Sequence, residues 1–224
     1  MTFKNKKLII FDLDGTLINS ALDLALSVNH MLKVLGRDTF QEETIHGWVG
    51  NGALTLVSRA LSGSKYVDKT LDETYLKHAL EIFLAYYAKN LCNATVPYPH
   101  VKTTLHRLKE KGYHLAIVTN KPFDFVEPIL LGLEMDGLFE PILGGDSLKK
   151  KKPDPMPLLH VCSTLGIGIE EALMVGDSKN DIQAANACSM QSVGVTYGYN
   201  YAEPIEACKP SLVIDNFGEL DKVL

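Results

Sequence analysis

Two carboxylates one residue apart, Asp12 and Asp14, close an apolar run and are followed at once by Gly15 and Thr16. On an extended backbone they share one side while Leu13 faces the other. Two carboxylates so close in a partly buried cleft cannot both stay ionised without a cation or a shared proton, so the pair points to a metal, a raised pKa, or both. Two further apolar runs end in comparable groups: Thr119-Asn120 after Ile117-Val118, and Asp177 after Met174-Val175-Gly176, with Ser178, Asn180 and Asp181 close behind. Lys152, directly before Pro153, adds a cation. Acids, a hydroxyl and one cation at a common edge fit phosphoryl transfer, where positioning and charge neutralisation do most of the catalysis.

These groups need a scaffold that delivers strand ends to one place. The run 8–11 suits a strand covered on both faces, as in a parallel sheet, and ligand sites in such sheets lie just beyond the carboxyl ends of the strands. Gly15 lets the chain turn immediately afterwards. Residues 114–120, 141–145, 172–177, 192–196 and 212–214 read as further strands, separated by helical patterns at 101–111, 123–131, 156–165 and 181–188. Between the first strand and the rest, 21–90 reads as helices alone. Asn19 and Ser20 are expected to cap 21–35, with Asp23 in its first turn and Gly36 at its end, followed by short helices at 42–48 and 53–61. Thr70-Leu71-Asp72-Glu73 is expected as the capping box of a long helix carrying Leu76, Leu80, Phe83 and Tyr87. Strands alternating with helices predict an open parallel sheet, and an all-helical insertion placed right after the acidic pair is a candidate lid.

With 224 residues the chain can bury a substantial core, and 46% hydrophobic and 22% charged residues describe an ordinary soluble protein. A net charge of −5 argues against bulk attraction to nucleic acid or to an anionic membrane, so an anionic substrate must be captured by local cations. The four cysteines are far apart and show no zinc or disulfide spacing. No run approaches the roughly 20 apolar residues of a membrane span, and the first apolar run stops at Asp12, too soon for a signal peptide. A cytoplasmic protein with reduced thiols, monomeric or homodimeric, is expected. None of the seven histidines is assigned a role.

Asp12-x-Asp14-Gly15-Thr16, Val118-Thr119-Asn120, Lys152-Pro153 and Gly176-Asp177-Ser178-x-Asn180-Asp181 resemble, in order, the four motifs of the haloacid dehalogenase superfamily. The fold implied is α/β, a Rossmann-like parallel-sheet core (1–17 and 95–224) with covering helices, plus a small inserted all-α cap domain (18–94). Gly50-Asn51-Gly52-Ala53 and Gly144-Gly145-Asp146-Ser147 look most like the bacterial members that hydrolyse 2-phosphoglycolate. The resemblance implies that Asp12 is the nucleophile, forming an aspartyl phosphate, and that Asp14 is the general acid and then base. It implies Mg2+ held by Asp12, Asp14 through its carbonyl, and Asp177, with Asp181 supporting through water or by orienting Lys152. Thr119 and the Asn120 amide would bind phosphoryl oxygens, Thr16 would join them, and Lys152 would neutralise residual charge.

Substrate choice is expected to lie in the insertion. A helix opened by Gly50-Asn51-Gly52 offers free amides to a carboxylate, with Asn51 and Gly52 as the binding residues and Arg59 as a helper, against an equally simple reading as a helix-breaking turn. Lys149, Lys150 and Lys151 are expected to be a solvated face. A broader phosphatase for sugar phosphates, nucleotides or pyrophosphate, or a sugar-phosphate mutase, would keep the same motifs. From a different class, a phosphorylatable receiver module also combines acids, Thr and Lys-Pro on a parallel sheet, but lacks a helical insertion.

Overall fold

The computed structural model describes residues 2–224. In chain order its elements are β1 (Leu8–Phe11), β2 (Ile18–Asn19), α1 (Ala21–Val34), α2 (Glu42–His46), α3 (Ala53–Ser62), α4 (Glu73–Tyr87), β3 (Val96–Pro97), α5 (Val101–Glu110), β4 (His114–Val118), α6 (Val126–Gly132), β5 (Ile142–Leu143), α7 (Met156–Leu165), β6 (Ala172–Gly176), α8 (Lys179–Ala187), β7 (Gln191–Val195), β8 (Leu212–Ile214) and α9 (Leu220–Val223). Among the described residues, six strands form one parallel sheet in the order β5-β4-β1-β6-β7-β8.

The position of β1 follows from its composition. All four of its residues are fully buried, and alternate ones enter different cores. Ile9 and Phe11 pack with α5, α6 and α9 through Val101, Leu105, Ile129 and Leu220, while Leu8 and Ile10 pack with α7 and α8 through Leu158, Val161 and Ala184. Each such side chain contributes about 1.5–3 kcal/mol relative to exposure, so only a central strand rewards a continuous apolar run. The order of strands leaves β1 flanked by β4 and β6, which brings the three polar strand ends side by side.

Helices α1–α4 have a core of their own, in which Val28, Met31, Trp48, Val57, Phe83 and Tyr87 are buried together. The chain leaves the sheet through β2 and returns through β3, and these pair antiparallel, Ile18 with Pro97 and Asn19 with Val96. Asp23, buried in the first turn of α1, ties the return segment. Its carboxylate accepts from the Ala94 and Thr95 amides and from the Thr95 hydroxyl at 2.6 Å.

Local details depart from expectation for identifiable reasons. Ser20 precedes α1 without capping it, because its hydroxyl donates to Asp14 Oδ1 at 2.6 Å, and Asn19 accepts from the Ala21 amide in its place. Asp72, not Thr70, caps α4 by accepting from the Tyr75 amide, since the Thr70 hydroxyl is spent on Asp68. Val96–Pro97 pair as a strand although Pro97 and Pro99 favour a connecting loop in this segment. Among the described residues no helix is long and apolar enough to cross a membrane.

Candidate active site

Asp12 follows β1 directly and is buried, 8% exposed. Its Oδ1 accepts from the Leu13 amide at 2.7 Å and faces the Lys152 ammonium at 3.0 Å; among the described residues no hydrogen bond engages Oδ2. Lys152 reaches Asp12 from the loop before α7 and is itself buried, with a second bond of 2.5 Å to Asp181 Oδ1. Burial opposes its charge, yet Asp12 and Asp181 hold its pKa above the ordinary lysine value. Asp181 sits in the first turn of α8, and its other oxygen accepts from the Ser178 amide and hydroxyl, so both oxygens are engaged within the protein.

Asp177, at the end of β6, accepts from the Thr16 hydroxyl at 3.1 Å and from the Tyr199 amide at 2.7 Å. Gly15 makes room for it: φ is +89°, and a Cβ there would strike the Asp177 carboxylate. Asp12, Asp177 and Asp181 each offer a carboxylate oxygen, all within 4.8 Å of one another. Burial pushes the Asp12 carboxyl up to about 7, with Lys152 opposing and Asp181 adding to the rise. Burial and the same neighbouring carboxylates push Asp177 well above the carboxylate range. Three buried carboxylates against one ammonium leave an excess of negative charge, and hard oxygen donors so clustered suit a divalent metal ion.

On the other side of Asp12, Asp14 accepts from Lys121 Nζ through both oxygens, at 3.0 and 3.1 Å, and from Ser20. Lys121 is buried and donates also to the Tyr87 hydroxyl at 2.6 Å, lying 4.7 Å from the centroid of that ring. Tyr87 belongs to α4, so the helical insertion reaches the acidic pair through this lysine. Burial opposes the Lys121 charge, but Asp14 and Tyr87 raise its pKa above the usual lysine value. Burial likewise pushes the Tyr87 hydroxyl up to about 12. Thr119 directly follows β4, and its oxygen accepts from the Lys121 amide at 3.2 Å, which leaves its own proton to donate.

Sheet and insertion meet over a cavity lined by Asp12, Asp14, Thr119, Asn120 and Lys121 below and by Leu24, Val49, Leu56, Phe83 and Tyr87 above. The space open to centres of water-sized molecules is about 40 Å³. At about 10–15 Å³ per water that is roughly three waters, so the closed arrangement suits a small ligand.

These features define a family when set beside known proteins. The family model described as haloacid dehalogenase-like hydrolase matches residues 9–195. The chain belongs to the haloacid dehalogenase-like hydrolases. It is 53% identical over 220 residues to a phosphoglycolate phosphatase of Colwellia psychrerythraea, covering 98% of this chain and 97% of that one. The chain is a phosphatase, a phosphoric monoester hydrolase. It is 50% identical over 219 residues to a phosphoglycolate phosphatase of Haemophilus influenzae, covering 97% and 98%. The crystal structure of a predicted phosphoglycolate phosphatase from Haemophilus somnus superposes with a TM-score of 0.93 at 46% identity, covering 98% of each chain.

Within this haloacid dehalogenase-like site the structure gathers Asp12, Asp14, Thr16, Thr119, Asn120, Lys152, Asp177 and Asp181 at one end of the sheet. Asn51 and Gly52 lie at its rim, and the polar groups of Asn51 are engaged with the sheet side. Its Oδ1 accepts from the Tyr201 hydroxyl, its amide donates to Asn180, and its carbonyl accepts from Lys151 at 2.8 Å. Asn120 and Asn180 both donate to the Gly50 carbonyl. Lys151 is exposed as expected but reaches the Asn51 carbonyl, and Arg59 is held by the Trp48 and Lys65 carbonyls over the Tyr201 ring. Tyr199 and Tyr201 are not marked by the sequence, Tyr87 is marked only as part of the apolar stripe of its helix, and Lys121 only by directly following Thr119-Asn120.

Proposed function

We propose that this phosphatase hydrolyses 2-phosphoglycolate to glycolate and phosphate, with Mg2+, through an aspartyl phosphate on Asp12. The observation that carries the reading is the pairing of two unlike carboxylates at the end of β1: Asp12 beside Lys152 with one oxygen uncommitted, and Asp14 two residues on beside Lys121. Asp12 Oδ2 forms the bond to phosphorus while the bond from phosphorus to the ester oxygen breaks, its electron pair leaving on that oxygen. Asp14 gives the leaving oxygen a proton and afterwards takes one from the water that hydrolyses the acyl phosphate. The Thr119 hydroxyl and the Asn120 amide donate to phosphoryl oxygens, and Lys152 compensates charge on the Asp12 side.

Asp12, Asp177 and the Asp14 carbonyl would hold the metal ion, with Asp181, whose Oδ1 is bound to the Lys152 ammonium, supporting the site by orienting that lysine. When bound, the ion supplies positive charge that lets the Asp12 carboxylate and the phosphoryl oxygens approach each other. Residues 1–17 and 95–224 act as the catalytic core and 18–94 as the cap over it, which supports choice of a small ester. The names of the relatives given above and the apolar side chains over the cavity favour 2-phosphoglycolate over sugar phosphates or nucleotides.

The test is phosphate release from 2-phosphoglycolate, sugar phosphates, nucleotides and pyrophosphate, with Mg2+ or with chelator, beside an Asp12→Asn control. Preference for 2-phosphoglycolate that needs Mg2+ and disappears in the control is expected. Equal turnover of sugar phosphates removes the substrate assignment, and turnover surviving in Asp12→Asn removes the nucleophile.

A further inference from the structure

We propose that Lys121 receives the second acidic group of the substrate and so selects phosphate esters that carry a carboxylate one carbon from the ester oxygen; this deepens the phosphoglycolate reading and rests on it. Among the described residues that line the cavity, Lys121 is the one cation. Apart from Tyr87, the side chains of the upper wall are apolar, with Leu24, Val49, Leu56 and Phe83, and Gly50 and Gly52 contribute backbone alone. A carboxylate entering this space meets no other cationic side chain among the described lining residues, while a polyhydroxylated group would leave its hydroxyls against hydrocarbon.

Position adds a second argument. The Lys121 ammonium is 3.0 Å from an Asp14 oxygen. A leaving oxygen that takes a proton from Asp14 lies one hydrogen bond, about 3 Å, beyond that carboxyl, which puts Nζ within about 6 Å of the leaving oxygen. A glycolate carboxylate, one carbon from that oxygen, spans this gap with a hydrogen bond to spare, whereas a longer chain overshoots it. The ammonium has three protons, now shared among two Asp14 oxygens and the Tyr87 hydroxyl. The incoming carboxylate takes a proton at present shared with Asp14, and Tyr87 keeps the ammonium in place through both its hydroxyl and its ring. Specificity thus lies in the motif loop of the sheet, one residue past Asn120. The Gly50-Asn51-Gly52 turn, whose side chain and two carbonyls are bound to the sheet side, frames the cavity.

The experiment compares kcat/KM for 2-phosphoglycolate and for ethyl phosphate, with Mg2+, in the wild type, Lys121→Met and Lys121→Arg. The ratio of the two substrates cancels any general loss of activity. A charge-assisted hydrogen bond lost from one substrate alone lowers that ratio about thirtyfold, and at least about tenfold, in Lys121→Met. Lys121→Arg is expected to retain most of it. A ratio unchanged in Lys121→Met overturns the assignment while leaving the phosphoglycolate reading intact. A wild type with no preference for the carboxylate overturns both. Should Lys121→Met fail to fold with Asp14 left unpaired, the neutral pair Asp14→Asn/Lys121→Met is compared with Asp14→Asn alone for binding of the same two esters. Preference for 2-phosphoglycolate in the single variant and its loss in the double one are expected; equal preference in both overturns the proposal.

Discussion

Asp23→Asn removes one charge and leaves the shape of the side chain almost unchanged, which makes it a clean probe of how the helical insertion is tied to the sheet. The carboxylate accepts from three donors, the Ala94 amide, the Thr95 amide and the Thr95 hydroxyl, at 2.6–3.0 Å. Asparagine keeps one acceptor oxygen and turns an NH2 group toward the same donors, so at least one buried amide loses its partner and the remaining bonds lose the ionic component. Two bonds to a charged acceptor, at about 1.5 kcal/mol each, give a loss of about 3 kcal/mol. Urea unfolding reads this in two ways. Trp48 is the single tryptophan and is buried in the insertion, so its fluorescence follows α1–α4, while far-UV circular dichroism follows the whole chain. With an m-value of about 2–3 kcal/mol per molar, the fluorescence midpoint should fall by roughly 1 M. A shift below about 0.3 M would refute the reasoning, because it would mean that the three donors find other partners at little cost.

Lys152→Met leaves Asp12 and Asp181 buried without their shared cation; a stability loss of about 3–5 kcal/mol and a fall in kcat of roughly 10²–10³-fold are expected, checked by denaturation and steady-state kinetics. In chelator-treated protein, the folded Asp12 carboxyl at about 7, raised from 3.8, holds its proton more tightly than the unfolded chain does. Its contribution is therefore full below pH ~4 and is lost as pH rises toward ~7, so metal-free protein should lose roughly 2 kcal/mol between pH 5 and 8. Stabilisation by Mg2+ should grow over the same interval, and a pH-independent gain in melting temperature would contradict this. Tyr201→Phe deletes the hydroxyl that bridges Asn51 and Asn180, and hydrogen exchange at the amides of residues 48–53 should quicken by about tenfold.

What the sequence made legible was local. The run 8–11 announces a central strand because every one of its residues is apolar, and Asp12 and Asp14 announce a reaction centre because their spacing puts both on one side. Met156–Leu165 and Leu212–Ile214 could be placed to the residue, since Pro155 and Gly166 bracket the first and the second is a bare apolar triplet. The insertion was legible as helices from apolar spacing alone. Long-range partners were not. Nothing near Lys121 in the chain says that Tyr87, 34 residues earlier, will hold it. Nothing in Ser20 says that Asp14 will take its hydroxyl from the helix it precedes. Lys151 and Lys152 are neighbours of identical type, and only the fold separates a lysine bound to Asp181 from one bound to the Asn51 carbonyl.

The two short strands through which the chain leaves and rejoins the sheet lie side by side, and this has an evolutionary consequence. A segment whose ends are neighbours can be exchanged for another of different length without moving either flank. Ile18–Asn19 and Val96–Pro97 therefore work as a socket, and whatever is plugged into it inherits a position above the carboxylates. New limits on the size of the leaving group can then arise by replacing the plug, while the chemistry beneath stays as it was.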